Sequence, residues 1–239
     1  MLPPPPNLRH RITERTMPMG SPRPFHYAPP MEPYLSVVHH DDDVLVLAKP
    51  SGLLHVPGKP AEHADCLEAR AQQAFAGAMT VHRLDKDTSG VVVMGMNRKA
   101  HAHLSQQFET RLTRKVYVAR VWGCMAEESG LVDLPIACDW PNRPKQMVDP
   151  ENGRPAQTGW SVLAREEDAT RVELSPATGR SHQLRVHMLS LGHPILGDNF
   201  YAHEEAFAAA ERLQLHAERL SFFHPSSGEE CLFTVPCPF

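Results

Sequence analysis

Short apolar runs separated by polar turns fill the chain from residue 34 onward, and their spacing predicts strands more often than helices. The alternation is clearest around Tyr117, which is predicted to face one side of a strand while Val116 and Val118 face the other. The first two runs flank the polar turn 40–43 and predict a hairpin. Strands are predicted at residues 34–39, 44–48, 78–81, 91–96, 116–121, 159–164, 170–174, 215–222 and 231–235.

Two helices are predicted in the N-terminal half of the chain. Asp65 followed by Glu68 resembles a capping box, and the helix that it starts should end at Gly77. Asn97 is in position to cap the second helix. The apolar residues of that helix recur every fourth position and predict a core-facing stripe: Ala100, Leu104 and Phe108.

A third helix is predicted to open at residues 179–182 and to end near Gly192. The chain therefore mixes hairpin-like strand pairs with a few helices. This order predicts an α+β protein with a mixed, mostly antiparallel sheet and flanking helices. The apolar face of the third helix is predicted to comprise Leu184, Met188 and Leu191.

Residues 1–33 differ from the rest because they hold ten of the chain's 23 prolines and almost no apolar periodicity. Such a segment buries too little surface to offset the entropy lost on ordering. It is predicted to be a disordered extension of uncertain role, followed by one folded domain over residues 34–239.

Composition restricts the functional classes. A formal net charge of −4 argues against binding nucleic acid by overall charge, although a local basic cleft would suffice. The five cysteines are odd in number and show no C-x-x-C spacing, which argues against a disulfide framework or a zinc ribbon. No apolar run reaches the roughly 18–20 residues of a membrane span, and no signal peptide is recognisable. A cytoplasmic protein without membrane association is expected.

The segment HRLDKDTSG at residues 82–90 carries the candidate chemistry. It places Asp85 in a polar turn between two predicted strands. Local composition alone is typical of a surface turn, because Asp, Ser and Gly are common turn formers. His82, Asp85 and Asp87 also leave open a divalent-metal hydrolase or nuclease, although no further ligand group stands out. A non-catalytic RNA-binding module is a third class.

Three segments together resemble the RluA family of pseudouridine synthases. The first is HRLDKDTSG, and the second is KVYVARVWG at residues 115–123. The third is GRSHQLRVH at residues 179–187, followed by GHPILGD at residues 192–198. KPSGLLHVPG and CDWPNRPKQ further resemble the dual-specificity branch of the family, whereas larger relatives begin with an S4 RNA-binding domain that has no room here.

The resemblance implies a role for four residues. Asp85 matches the catalytic aspartate, and Arg185 matches its ion-pair partner, which would favour the ionised carboxylate. Tyr117 matches the tyrosine that stacks on the target uracil. Arg83 matches the arginine that enters the RNA as the uridine leaves the stack. Asp85 would add to the base, attack C1′ or remove a ribose proton, and the sequence does not decide between these steps.

The resemblance also implies the partners. The fold would be the pseudouridine synthase catalytic fold with a central RNA-binding cleft, acting as a monomer without cofactor or metal. The substrates would be uridine 32 of tRNA anticodon loops and uridine 746 of a 23S rRNA hairpin, the alternative being another tRNA or rRNA uridine. Candidate RNA-backbone contacts are Arg83, Arg114, Lys115, Arg143, Lys145 and Arg180.

Overall fold

The computed structural model describes residues 27–239. Most of the predicted N-terminal extension therefore lies outside the described residues. The part that is described, residues 27–33, contacts the folded domain: the Tyr27 hydroxyl donates to the carbonyl of Asp65 (2.5 Å) and accepts from the N–H of Leu54 (3.1 Å). Structured chain thus begins N-terminal to the predicted domain boundary.

The described residues form twelve strands and four α-helices, and none of these helices is long and apolar enough to cross a membrane. The strands are β1 (Val37–His40), β2 (Val44–Lys49), β3 (Met79–Thr80), β4 (Ser89–Gly95), β5 (Arg114–Trp122), β6 (Ser129–Asp133), β7 (Ile136–Cys138), β8 (Gln146–Val148), β9 (Gln157–Arg165), β10 (Ala169–Pro176), β11 (Leu215–Phe223) and β12 (Glu230–Thr234). The helices are α1 (Leu67–Ala74), α2 (Arg98–Glu109), α3 (Gln183–Ser190) and α4 (Glu204–Ala208).

Ten of these strands form one sheet in the order β1-β2-β4-β11-β5-β10-β9-β6, with β3 paired to β4 and β12 paired to β11. Strands β7 and β8 form a separate hairpin. Every pairing in the large sheet is antiparallel except the short contact between β4 and β11. The predicted α+β class with a mostly antiparallel sheet is confirmed.

Strands β2 and β4 are buried on both faces, which explains their continuous apolar sequences. On one face, Val92 of β4 joins a cluster that includes Leu67 of α1. On the other face, Val93 joins a cluster that includes Leu104 of α2. Each fully buried aliphatic side chain of this kind contributes roughly 1.5–3 kcal/mol to folding. The start of β4 is therefore held by packing on both faces, and it fixes the end of the loop that precedes it.

Helix α2 forms as the sequence predicts. The Asn97 side chain accepts a hydrogen bond from the N–H of Ala100 (2.9 Å) and so caps the first turn. Ala100 and Leu104 are fully buried. Phe108, one turn further along, stacks on the His82 ring with the ring centroids 4.4 Å apart. The helix thus reaches the first residue of the HRLD segment.

Helix α1 begins one residue later than predicted. The N-cap is Cys66, whose sulfur accepts from the N–H of Ala69 (3.4 Å). The Asp65 carboxylate instead receives two hydrogen bonds from Arg70, at 2.6 and 2.7 Å. Arg70 is only 1% exposed, and a buried guanidinium requires a counter-charge. The prediction that Asp65 caps the helix is therefore wrong.

The apolar face of α3 is shorter than predicted. Leu184 and Met188 are buried, but Leu191 is 38% exposed. The helix ends at Ser190, so Leu191 lies beyond the last turn and does not continue the stripe. The prediction for Leu191 is wrong.

The parallel contact between β4 and β11 joins the two halves of the large sheet. It is only two residues long, His216 opposite Ser89 and Ala217 opposite Gly90. Gly90 has a φ of +122°, and a Cβ atom there would lie 2.1 Å from the carbonyl oxygen of Ala217. Only glycine permits this approach. The final glycine of the HRLDKDTSG segment is therefore a requirement of the sheet junction.

We expect Gly90→Ala to destabilise the protein by more than about 3 kcal/mol, because the strained φ and the backbone clash act together. Urea denaturation of the two proteins measures the difference. Gly192→Ala is the matched control: Gly192 also has a positive φ (+83°) but nothing within 4 Å of the added Cβ. It should cost about 1 kcal/mol. Equal losses in the two variants would contradict the close-approach argument.

Candidate active site

The loop that carries Asp85 is fixed by the polar segment after β2. The buried Lys49 ammonium donates to the carbonyl of Lys86 (2.7 Å), and the N–H of Gly52 donates to the same oxygen (3.0 Å). The Ser51 hydroxyl donates to the carbonyl of Asp87 (2.7 Å). Burial lowers the pKa of Lys49 to about 7 although nearby carboxylates oppose the shift. The turn that follows Asp85 is thus held through its backbone.

Two histidines fix the beginning of the same loop. The N–H of Leu84 donates to Nδ1 of the buried His55 (3.2 Å). The N–H of Val93 donates to Nε2 of His82 (3.1 Å). Burial lowers the pKa of His82 to about 3, so this imidazole is neutral. His82 therefore acts as a structural acceptor through Nε2.

Arg185 of α3 links Asp85 to a second carboxylate. Its Nε and Nη2 donate to the two oxygens of Asp198, at 2.7 and 2.6 Å, in a bidentate pair. Its Nη1 donates to Oδ2 of Asp85 (3.4 Å). The side chains of Arg185 and Asp198 are 2% and 0% exposed, whereas that of Asp85 is 29% exposed. Only Asp85 faces the solvent, so it is the carboxylate that a substrate can reach.

The buried pair is charged. Burial by itself would lower the pKa of Arg185, but the Asp198 and Asp85 carboxylates outweigh it and the pKa is raised. Burial would likewise raise the pKa of Asp198, yet Arg185 and the N–H groups of Phe200 and Tyr201 outweigh it, and that pKa is lowered. With Asp198 paired through Nε and Nη2, Nη1 is the guanidinium nitrogen that reaches Asp85.

Tyr117 of β5 lines the same cavity as Asp85. Its ring packs between the two hydrophobic clusters on either side of the sheet junction. Burial, and secondly the negative charge of Asp85, raises the pKa of the Tyr117 hydroxyl. The hydroxyl therefore stays protonated, and the residue lines the cavity that Asp85 also lines.

His182, at the N-terminus of α3, is a site residue for which sequence analysis predicted no role. It adopts a left-handed conformation (φ 54°, ψ 16°), which is uncommon for a residue other than glycine. Its ring stacks on Phe200 with the centroids 5.5 Å apart, and Nε2 lies 4.0 Å from Oδ2 of Asp85. Strained backbone of this kind is concentrated at functional sites.

The protonation of His182 follows from its partner. The Tyr201 hydroxyl accepts the N–H of Gln146 (2.8 Å) and lies 2.7 Å from Nδ1 of His182. Burial lowers the pKa of His182, so the ring is neutral. When the hydroxyl donates to Nδ1, the single proton of the neutral ring is on Nε2, the nitrogen that faces Asp85. Asp85 thus has the charged guanidinium within hydrogen-bond distance on one side and the neutral His182 ring, 4.0 Å away, on the other.

The cleft is basic although the chain as a whole is acidic. The cavity beside Asp85 has a volume of about 670 Å³. Two carboxylates, Asp85 and Glu109, line it together with a larger set of cations. These cations are Arg83, Arg111, Lys115, Arg154, Arg180 and Arg185.

The predicted RNA contacts divide into three groups. Arg83, Lys115 and Arg180 line the first cavity, and Arg83 also lines a second cavity on the other side of Asp85. Arg143 and Lys145 line that second cavity. Arg114 lines neither: its side chain is 82% exposed and lies 3.9 Å from Glu230. Sequence analysis did not single out Arg154, which only the fold brings to the rim.

Other residues missed from the sequence lie inside the quoted motifs. Asp198 ends GHPILGD and His182 lies in GRSHQLR, so the motifs contained the signal but did not indicate which atom each side chain would meet. Tyr201 lies just outside them and gave no signal. Among the described residues, no three His, Cys, Asp or Glu side chains lie together as a metal site.

The sequence matches a known protein family. The family model described as RNA pseudouridylate synthase matches residues 43–190. The dual-specificity RNA pseudouridine synthase RluA of Escherichia coli (strain K12) is 54% identical over 214 residues, which cover 89% of this chain and 98% of that protein. The protein of the same name from Vibrio vulnificus is 51% identical over 218 residues, covering 89% and 87%.

Solved structures show the same fold. Human RNA pseudouridylate synthase domain containing 1 superposes with a TM-score of 0.72 at 28% identity, covering 86% of this chain and 84% of that chain. Human RNA pseudouridylate synthase domain containing 4 gives a TM-score of 0.70 at 27% identity, covering 85% and 88%.

We expect Asp198→Asn to lower the free energy of unfolding at pH 7 by about 3–5 kcal/mol, because it leaves the buried Arg185 charge without its main partner. The lowered pKa of Asp198 gives the sign of the pH dependence. Its stabilisation is fully present above the unfolded pKa of about 3.9 and is lost as the pH falls through the folded pKa. The difference between the two proteins should therefore shrink in acid.

Urea denaturation at pH 7 and at successively lower pH measures this difference. Asp168→Asn, which changes an exposed carboxylate, is the matched control and should remain within about 0.5 kcal/mol of the wild type. A constant difference between Asp198→Asn and wild type across the acid range would contradict the charged-pair assignment.

Proposed function

This chain belongs to the RNA pseudouridylate synthase family, and we propose that it is a dual-specificity enzyme that isomerises uridine 32 of tRNA anticodon loops and uridine 746 of 23S rRNA. The observation that carries the proposal is the half-buried Asp85 carboxylate, which is paired with Arg185 and lines a cavity whose charged residues are mainly cations. The relatives whose names include dual specificity match 89% of this chain. The protein acts as a cytoplasmic monomer on these RNAs.

The reaction needs a carboxylate but no cofactor. The bond between N1 of uracil and C1′ of the ribose breaks, the base turns, and C5 bonds to C1′. C5 loses its proton and N1 gains one, so the atoms balance within the nucleotide and water. Addition of Asp85 to the base, its attack on C1′ and removal of a ribose proton all require the ionised form. The Arg185 guanidinium places its positive charge beside this carboxylate.

The target uridine must leave the stacked loop before Asp85 can reach it. Arg83 is exposed and lines both cavities, so its side chain is placed to occupy the space that the base leaves. Tyr117 then forms one wall for the extruded uracil. The cations around the first cavity bind phosphates and fix the register of the RNA without reading its sequence.

We expect Asp85→Asn to abolish pseudouridine formation while RNA affinity stays within a few-fold of wild type, because the carboxylate acts in chemistry and not in docking. Carbodiimide mapping of tRNA and 23S rRNA measures the first quantity, in cells that lack the gene and carry either form. Filter binding of an anticodon stem–loop RNA measures the second. Pseudouridine at both proposed positions in Asp85→Asn cells would contradict the catalytic assignment.

The mapping also tests the substrates. Loss of pseudouridine at tRNA position 32 and at 23S position 746, restored by the wild-type gene, is the expected result. Loss at other uridines only would favour the alternative that this family member modifies a different RNA site.

The Tyr117 ring should contribute more than its hydroxyl. We expect Tyr117→Phe to bind the stem–loop RNA nearly as well as wild type, and Tyr117→Ala to bind about 5- to 100-fold more weakly, because stacking on a base is lost. Equilibrium titration of each variant checks this. Equal affinities of the two variants would mean that the ring does not contact uracil.

A further inference from the structure

A second cavity lies on the other side of Asp85 and has no role in the isomerisation described above. Its volume is about 620 Å³, within the range of small-ligand sites. The residues that line both cavities form a partition between them, and the catalytic carboxylate belongs to this partition. The shared residues are Arg83, Leu84, Asp85, His182 and Arg185.

The outer wall of the second cavity is the segment that connects β7 to β8. Residues 141–145 of this connection line the cavity. The preceding residue, Trp140, is 67% exposed. The Arg143 guanidinium lies over the Trp140 ring, with its central carbon 4.7 Å from the centroid. Arg143 therefore has one face against an aromatic ring while it lines the cavity.

This wall is held in place. The Asn142 amide donates to both carboxylate oxygens of Asp139, at 2.9 and 3.1 Å. The N–H of Gln146 donates to the Tyr201 hydroxyl, which also contacts His182 in the partition. The segment that carries the Trp140–Arg143 pair is thus hydrogen-bonded, through Gln146 and Tyr201, to the histidine beside Asp85.

The chemistry of the cavity fits a nucleotide. A guanidinium plane backed by an indole ring is a stacking surface for an unpaired base. Lys145 and Arg83 supply positive charge for a phosphate, and the Asn142 side-chain oxygen supplies an acceptor for a base edge. An exposed tryptophan that completes such a surface is a typical site of recognition.

We propose that the second cavity binds a second unpaired base of the RNA loop, stacked on the Arg143–Trp140 pair, while the target uridine occupies the first cavity. This inference rests on the proposed RNA-modifying function and extends it to substrate selection. Only this partition separates the two cavities. Two bases of one loop therefore bind at the same time, one in each cavity, on either side of Asp85. Trp140 is then a specificity-determining residue.

The test uses the full-length protein, an anticodon stem–loop RNA with uridine 32 and a 23S hairpin RNA with uridine 746. We expect Trp140→Ala to lower kcat/KM by about 5- to 100-fold, the range of one lost base-stacking contact, and Trp140→Phe to lower it far less. Arg143→Lys should be nearly as impaired as Arg143→Ala, because lysine keeps the charge but has no plane. Arg98→Lys and Leu131→Ala, at exposed positions outside both cavities, should match the wild type.

A second set of measurements changes the RNA instead of the protein. Each loop nucleotide other than the target is replaced in turn by an abasic nucleotide, which removes the base and keeps the phosphate. One position should lower wild-type kcat/KM by the same factor as Trp140→Ala and should have no further effect on that variant. Additive losses at every position would overturn the shared contact.

The possible failures are distinct. Full activity of Arg143→Lys would mean that charge alone is recognised and would overturn the stacking site. If the wild-type protein modifies both RNAs and Trp140→Ala has an unchanged kcat/KM, the second base site is overturned and the proposed function stays intact. Turnover of neither RNA by the wild-type protein would overturn the proposed substrates, and this inference with them.

Discussion

The buried guanidinium of Arg185 is the constraint on which the site depends. A charge with 2% exposure is tolerated only where carboxylates and fixed geometry compensate it. Asp198 provides the bidentate partner and is itself completed by two backbone N–H groups. Nη1 is the guanidinium nitrogen not bonded to Asp198, and it donates to Asp85. Helix α3, the loop after it and the loop before β4 must therefore meet in one arrangement.

Around this ion pair, the protein separates rigid support from accessible chemistry. Backbone carbonyls of the Asp85 loop accept hydrogen bonds from Lys49, Ser51 and Gly52, and these bonds fix the backbone of the loop. The exposed side of the loop faces two cavities. The chain has no overall positive charge, but cations are concentrated around the first cavity and give that region a positive potential. Net charge is thus a poor guide to RNA binding when a cleft gathers residues from distant segments.

Sequence pattern predicted what depends on neighbours along the chain. The buried strands β2 and β4 have continuous apolar runs, and Asn97 caps α2 where its spacing indicated. Prediction was wrong where a distant charge intervened: Asp65 pairs with buried Arg70, so Cys66 becomes the cap. The short strands β6, β7 and β8 and helix α4 were not predicted, because their few residues show no clear periodicity.

The site shows the same division. Motif resemblance supplied Asp85, Arg185 and Tyr117, and the fold brings them to one cavity. It could not supply the left-handed turn of His182 or the position of Arg154, since both depend on where α3 and the β8–β9 connection come to lie. Arg114 belongs to the same basic run as Lys115, yet neighbouring strand residues alternate faces, and it lies outside both cavities.

The two-residue contact between β4 and β11 has a consequence for synthesis of the protein. The Ser89 hydroxyl and Nδ1 of His216 meet there at 2.8 Å across 127 positions of the chain, and the ion pair to Asp85 spans 100. A ribosome delivers the N-terminal half first, and such distant contacts close late because of the loop entropy that they cost. A nascent chain therefore exposes Asp85 without its partners. The sheet junction behind Asp85 cannot form until β11, which begins at Leu215, has been synthesised.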